Sequence, residues 1–371
     1  MRTRRAASGL LTASILVTSL ALAGAVALAV DRQQIQDASL MDGVVLGRGG
    51  EGSGQGKVVV ADRGSGTISV ISTKTDELIG TFPLSPGDNP PEPMYVYATP
   101  LQRRVFVGDR ANDRVVAFDS RTFEVVGTAD TGRGVFHMWG STALGELWVN
   151  CDIDNTTTVI DMRTLETVAT VPTPADLVAL GGKPHDVIVS PDGFFGYVTV
   201  LGVAGDTDYV VQFDARTFEE LGRVEVGDDP HVSLTLRTPY LYVPSQGGNA
   251  VHVLDRFSLQ SVTDIDVPGA HGAGMSRSGR YFYTTNLPGG GLGALWTIDT
   301  TTNDVVGQPV DSPYGVPHNI VLTPDGRKLY LTHSGPNDKV TIYRIGRGDR
   351  TPEYSAEVTV GLNPFGIGYV Y

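Results

Sequence analysis

From residue 57 onward the chain alternates short apolar runs, rich in Val, Thr and Tyr, with breaks of Gly, Pro, Asp and Ser. Those residues suit a pleated, half-buried surface, and the breaks are turn residues, so the pattern predicts an all-β protein. The runs also recur in a fixed order. "KPHDVIVSPDGFFGYVT" at 183 has cousins in "DPHVSLTLRTPYLYVPS" at 229, "AHGAGMSRSGRYFYTTN" at 270 and "VPHNIVLTPDGRKLYLTHS" at 316. Each pair of runs is followed by a third ending in Asp-x-x-Thr, as in "VVAFDSRT", "TTVIDMRT" and "LWTIDTTT", and then by a fourth such as "VVGTADTG". Four short strands repeating every ~40 to 48 residues specify the blades of a β-propeller.

Turn chemistry agrees with these boundaries. Ser190-Pro-Asp-Gly193 and Thr323-Pro-Asp-Gly326 suit type I turns between the first two strands, and Asp119, Asp161, Asp214 and Asp299 can close Asx turns after the third. Seven units begin near Lys57, Pro93, Gly134, Lys183, Asp229, Ala270 and Val316. The first unit lacks an opening strand, whereas the terminal "NPFGIGYVY" resembles only the first strand of a unit. The last strand is therefore expected to complete blade one and close the ring, giving a seven-bladed propeller over residues 57–371.

The first thirty residues break the pattern: a basic start, "MRTRR", precedes an apolar stretch and a small-residue Ala27-Leu28-Ala29. Residues 1–30 read as an export signal peptide and 31–56 as a linker, which places the mature chain in the periplasm, outside the cell or on its surface. The apolar stretch is also long enough to remain as an uncleaved membrane anchor, and without it no membrane span is expected. Its loss removes three arginines and no acid, taking the formal charge from −13 to −16 and arguing against nucleic-acid partners. Cys151 is the only cysteine, so no disulfide within the chain is possible.

Aligning the units on their first turn places Met94, His137, His185, His231, His271, His318 and Phe365 at the start of the innermost strands. Five of the seven histidines thus share one repeat position. Antiparallel pairing puts the end of each second strand beside that position, at Asp62, Asp109, Cys151, Val200, Ser245, Asn286 and His333. A crescent of imidazoles at one channel mouth is expected, with His333 beside His318 and with Met94 and Cys151 near its edge. Imidazoles suit a transition metal, and Met and Cys bias the choice toward copper. Duplication offers a second explanation, in which each histidine only caps a strand against the next blade. The residues flanking the histidine have diverged while it recurs, which favours a shared ligand. His252, in an alternating third strand, is expected outside the crescent. The longer connections "TPADLVALGG", "LGVAGDTD" and "LPGGGLGA" fall at the same mouth, as binding loops do.

In "VVVADRGSGTISVISTKTDELIGTFPL", "SPDGFFGYVT" and "TPDGRKLYLTHS" the chain resembles the YVTN β-propeller repeats of exported and surface-layer proteins. Its histidine crescent resembles the copper-binding propellers of nitrous oxide reductase and thiocyanate dehydrogenase, although no cupredoxin domain is present and the histidines form a crescent, not a full ring. The resemblance implies a copper-dependent oxidoreductase that passes electrons to an external acceptor. Its rivals are a non-catalytic exported module that binds a small molecule or a protein, and a lyase using a channel histidine as base. Neither a Ser-His-Asp order nor an H-E-x-x-H helix supports hydrolysis.

Overall fold

The computed structural model describes residues 56–99, 102–205, 207–346 and 350–371, so the expected signal peptide and nearly all of the linker lie outside the described residues. Seven four-stranded antiparallel sheets follow one another around a ring. Blade one takes its innermost strand from the end of the chain: Pro364–Val370 pairs with Lys57–Asp62, which pairs with Thr67–Ser72 and then Glu77–Pro83. Lys57 lies opposite Val370 and Asp62 opposite Pro364, as closure requires.

Burial follows strand order. Second and third strands such as Arg104–Asp109 and Arg114–Asp119 are buried on both faces, because each blade is covered by a neighbour on either side. Fourth strands such as Glu77–Pro83 and Ser261–Asp266 are largely exposed. The core therefore lies between blades: Val59 and Val70 pack with Val105 and Phe118, and Val58 and Val60 pack with Tyr330 and Ile342 across the closing seam.

The expected turns form. Ser190 accepts at its carbonyl from Gly193 (2.8 Å), and Thr323 from Gly326 (2.8 Å), both glycines having left-handed φ of 70° and 64°. Asp119, Asp161, Asp214 and Asp299 each accept from the backbone N–H two residues on, and Asp255 does the same in blade five. A tyrosine in the second strand ties each of four blades to the next. Tyr197 donates to the Arg256 carbonyl (2.6 Å), Tyr242 to Asn303 (2.8 Å), Tyr283 to the Arg350 carbonyl (3.2 Å) and Tyr330 to Asp76 (2.5 Å). The last tie crosses from blade seven to blade one, where Lys328 also meets Asp76 at 2.7 Å. The closing seam is thus built like the other three.

The innermost strands surround the central channel. Side chains from all seven, including Tyr97, Trp139, Leu234, Met275, Leu322 and Tyr369, line a tunnel of about 320 Å³ with no charged residue. The histidines start these strands, at the opposite mouth.

Candidate metal centre

A bulge opens six of the seven inner strands. In blade four Pro184 pairs with Val200 and Val187 with Val198, so His185 and Asp186 together face the single residue Thr199. Such a bulge bends the strand and lets two consecutive side chains reach the channel. The threonine holds it: Thr199 accepts from the Asp186 N–H (2.8 Å), Thr285 from Gly272 (2.8 Å) and Thr332 from Asn319 (3.0 Å). Just upstream the chain turns through left-handed residues at Gly134, Asp229, Gly269, Val316 and Asn363.

This register corrects the repeat alignment in one blade. Val135 pairs with Cys151 and Met138 with Val149, so Phe136 holds the position of His185, and His137 stands one residue later, where blade four has Asp186 and blade two Tyr95. His185, His271 and His318 share the first bulge position, His231 holds the equivalent place after Pro230 in blade five, whose inner strand has no bulge, and His137 joins them from the second. His137 still enters the cluster because both bulge residues face inward.

Five imidazoles come together. Ring centroids lie 4.9 Å apart for His137 and His185, 4.8 Å for His185 and His231, 3.9 Å for His231 and His271, and 4.8 Å for His271 and His318. All five residues are buried. His137, His185 and His231 can each offer one nitrogen such that the three atoms lie within 4.8 Å of one another, and Asp229, His231 and His271 form a second such group. His318 belongs to neither, and its Nδ1 accepts from Asn319 (2.8 Å).

Two carboxylates complete the cluster. Asp186 accepts from His137 Nδ1 (2.8 Å) and from the N–H groups of Val187 (2.7 Å) and Val232 (2.9 Å), and it lies 3.6 Å from His231 Nδ1. Asp229 approaches His185 Nε2 (3.2 Å) and His231 Nε2 (3.7 Å). Both stand in the sequence beside a Pro-His pair, in Pro184-His185-Asp186 and Asp229-Pro230-His231, and each tripeptide can be read as a pair of donors.

Burial pushes His137 down to about 4 and His318 to about 3, lowers His185, and holds His271 well below the usual histidine range. Burial would raise Asp186, but His137 and His231 hold its carboxyl far below the usual range; Asp229 is likewise brought down to about 2, by His185 and His231 against its own burial. Near neutrality these four imidazoles are uncharged and both carboxylates ionised. With Nδ1 donating to Asp186, His137 presents an unprotonated Nε2 that has no partner, and both nitrogens of His271 are also unpartnered. A carboxylate behind an imidazole is the arrangement that orients histidine toward a metal, so the residues present fit a transition-metal ion.

Other expected members lie elsewhere. Pro317 pairs with His333 as the register requires, yet His333 turns into its own blade, donating from Nδ1 to the Gly315 carbonyl (3.0 Å) and accepting at Nε2 from Thr341 (2.8 Å) and Ser312 (3.2 Å). Both nitrogens are committed, which removes it from the donor set. Cys151 is buried with Sγ 3.5 Å from the Val149 carbonyl and from Thr158, and burial raises its thiol. Met94 packs in an apolar cluster with Tyr95, Phe106 and Phe365. The donors are therefore nitrogen and oxygen, without sulfur. His252 stands apart, bonded to Asp264 (2.7 Å) and Gly227 (3.0 Å).

No protein-family model and no curated protein sequence matches the chain. Solved structures do. A Lactobacillus plantarum protein aligns at TM-score 0.68 and 15% identity over 85% of this chain and 100% of its own. The periplasmic gluconolactonase of Pseudomonas aeruginosa aligns at 0.67 and 17% over 85% and 99%. A Bacteroides fragilis protein provisionally described as a 6-phosphogluconolactonase aligns at 0.67 and 16% over 87% and 99%. Identities this low establish a common seven-bladed propeller fold and say nothing of activity.

Proposed function

We propose that this chain is an exported propeller that binds a divalent transition metal at the channel mouth through His137, His185, His231 and His271, with Asp229 at its edge and Asp186 behind. One observation carries the reading: three buried imidazole nitrogens can converge within 4.8 Å while an ionised carboxylate holds one of the rings from behind. Without thiolate or thioether the donor set suits copper(II) or zinc, and the usual affinity order favours copper. A bound copper ion would supply one-electron chemistry, which keeps a metal-dependent oxidoreductase with an external electron acceptor as the matching activity. Elemental analysis of the protein taken from its exported compartment, followed by copper(II) and zinc titration against a competing chelator, tests this. One tightly held ion per chain supports the reading; affinity no better than that of a His185→Ala, His231→Ala double variant sinks it.

A second reading takes its cue from Asp229, which is partly exposed beside His185 (3.2 Å) at the opening of the cluster. That pair could activate water as a general base, and the gluconolactonases sharing the fold make a lactone the substrate to try. Lactone hydrolysis that persists after exhaustive chelation and is lost in His185→Ala would favour it over the metal reading. A purely binding role, for a small ligand or a protein, remains for a chain that fails both tests.

A further inference from the structure

Three orphaned groups converge on the cluster from three different blades: His137 Nε2, both ring nitrogens of His271, and the hydroxyl of Tyr95. Buried polar atoms without partners cost folding free energy, so in a native protein each calls for an explanation. An ion held by His137, His185 and His231 would accept the His137 lone pair, and one held by Asp229, His231 and His271 would accept one lone pair from His271. Either way the second nitrogen of His271 and the Tyr95 hydroxyl stay unanswered.

Tyr95 is not a bystander. It occupies the second bulge position of blade two, the place that holds His137 in blade three and Asp186 in blade four. Its ring lies 3.7 Å from that of His137, inclined by 30°, and the residue is only 8% exposed. Phe365 packs edge-on against it at 5.4 Å and Phe136 at 5.8 Å, walling the phenol in. Asn319 donates its amide N–H groups to His318 Nδ1 (2.8 Å) and the Phe365 carbonyl (3.2 Å), and its side chain stands close enough to the phenol to favour the phenolate against burial. It still makes no hydrogen bond of normal geometry with the hydroxyl, which is left without a well-placed protein acceptor.

We infer that the cluster receives, beside the metal, one small exogenous oxygen- or nitrogen-donor molecule, water in its absence, and that Tyr95 donates a hydrogen bond to it. The centre is then of the open kind, with a coordination position reserved for a ligand, unlike a closed structural site. This inference rests on the metal reading and sharpens it: the molecule handled there is small, carries a lone pair and is recognised by a phenol.

The test uses the full chain loaded with copper(II) and azide as the probe ligand. Azide titration of the wild type should produce a new charge-transfer absorption, and in deuterated water the copper spin echo should show exchangeable deuterons close to the metal. Tyr95→Phe should keep its copper affinity yet bind azide about tenfold more weakly, the effect of one lost hydrogen bond to a charged acceptor. Tyr97→Phe serves as control, because its hydroxyl lies against Thr142 (3.5 Å) away from the cluster, and it should match the wild type. Equal azide affinity in Tyr95→Phe and wild type, or loss of copper from Tyr95→Phe, overturns the role given to Tyr95. A wild type that binds copper but neither azide nor exchangeable water overturns the open position while sparing the metal reading. A wild type that binds no copper overturns both.

Discussion

Asp186 gathers more of the site than any histidine does. It accepts from His137 in blade three, from the N–H of Val187 in its own strand and from that of Val232 in blade five, fixing the tautomer and direction of His137. Asp186→Asn should therefore lower metal affinity by roughly 10–100-fold with little change in overall fold, as seen by isothermal titration beside circular dichroism. His231, shared by both donor groups, should cost more when replaced by Ala, whereas His252→Ala should leave metal affinity unchanged; equal losses would refute the cluster as the binding site. Two residues outside the cluster set opposite pH slopes. Burial holds His333 at about 4 against an unfolded value of ~6.5, so the unfolded chain binds the extra proton and stability falls as pH drops from ~6.5 toward 4. Burial raises Asp62 to about 6 from 3.8, despite bonds from Ser69 and Thr67, so here the folded chain holds the proton and stability falls as pH rises from 3.8 through 6. Chemical denaturation across pH should show His333→Gln removing the first slope and Asp62→Asn the second.

The strand bulge decides which side chains meet, and it also limits what a repeat alignment can foresee. Strands, turns and the pairing of second-strand ends with inner-strand starts were legible, because a period-two pattern and Pro-Asp-Gly turns fix register. The offset of His137 was not, since two residues facing one partner hide a one-residue slip from any count based on residue type. Nor could the pattern tell that His333, although correctly paired, would find Gly315 and Thr341 within its own blade. Strict alternation sends the residue after an inward histidine outward, a rule the bulge suspends, and this is how Asp186 enters the cluster. The bulge in blade six carries its own constraint: a Cβ on Gly272 would lie 2.0 Å from the His318 carbonyl oxygen, which is backbone and cannot step aside. Gly272→Ala should cost about 1–3 kcal/mol and weaken metal binding by shifting His271 and His318, while Gly222→Ala, with nothing within 4 Å, should do neither in paired melting and titration measurements.

At the scale of the whole molecule the seven-bladed ring and its closure by the final strand were readable from one observation, an unpaired first unit and a terminal run without a unit of its own. The inter-blade tyrosine ties were not, because the sequence shows the repeated Tyr but not the distance to the next blade's turn. Removing residues 363–371 takes away the inner strand of blade one, with Ile367 from the closing seam, Val370 from the face against blade two and Phe365 from the cluster around Met94, and should lower stability by on the order of 5 kcal/mol, with broadened thermal unfolding; a wild-type melt would contradict the closure. Tyr330→Phe should cost about 1 kcal/mol by releasing Asp76. The closing pair also has a direction. Lys57 faces Val370, so the two chain ends leave the ring side by side at the same end of one antiparallel ladder. Tension applied between those ends loads the Lys57–Val370 rung first and the others in turn, opening the seam like a zipper instead of shearing all rungs at once. The ring should therefore yield at low force when pulled between residues 57 and 370, with blade one as the breaking point.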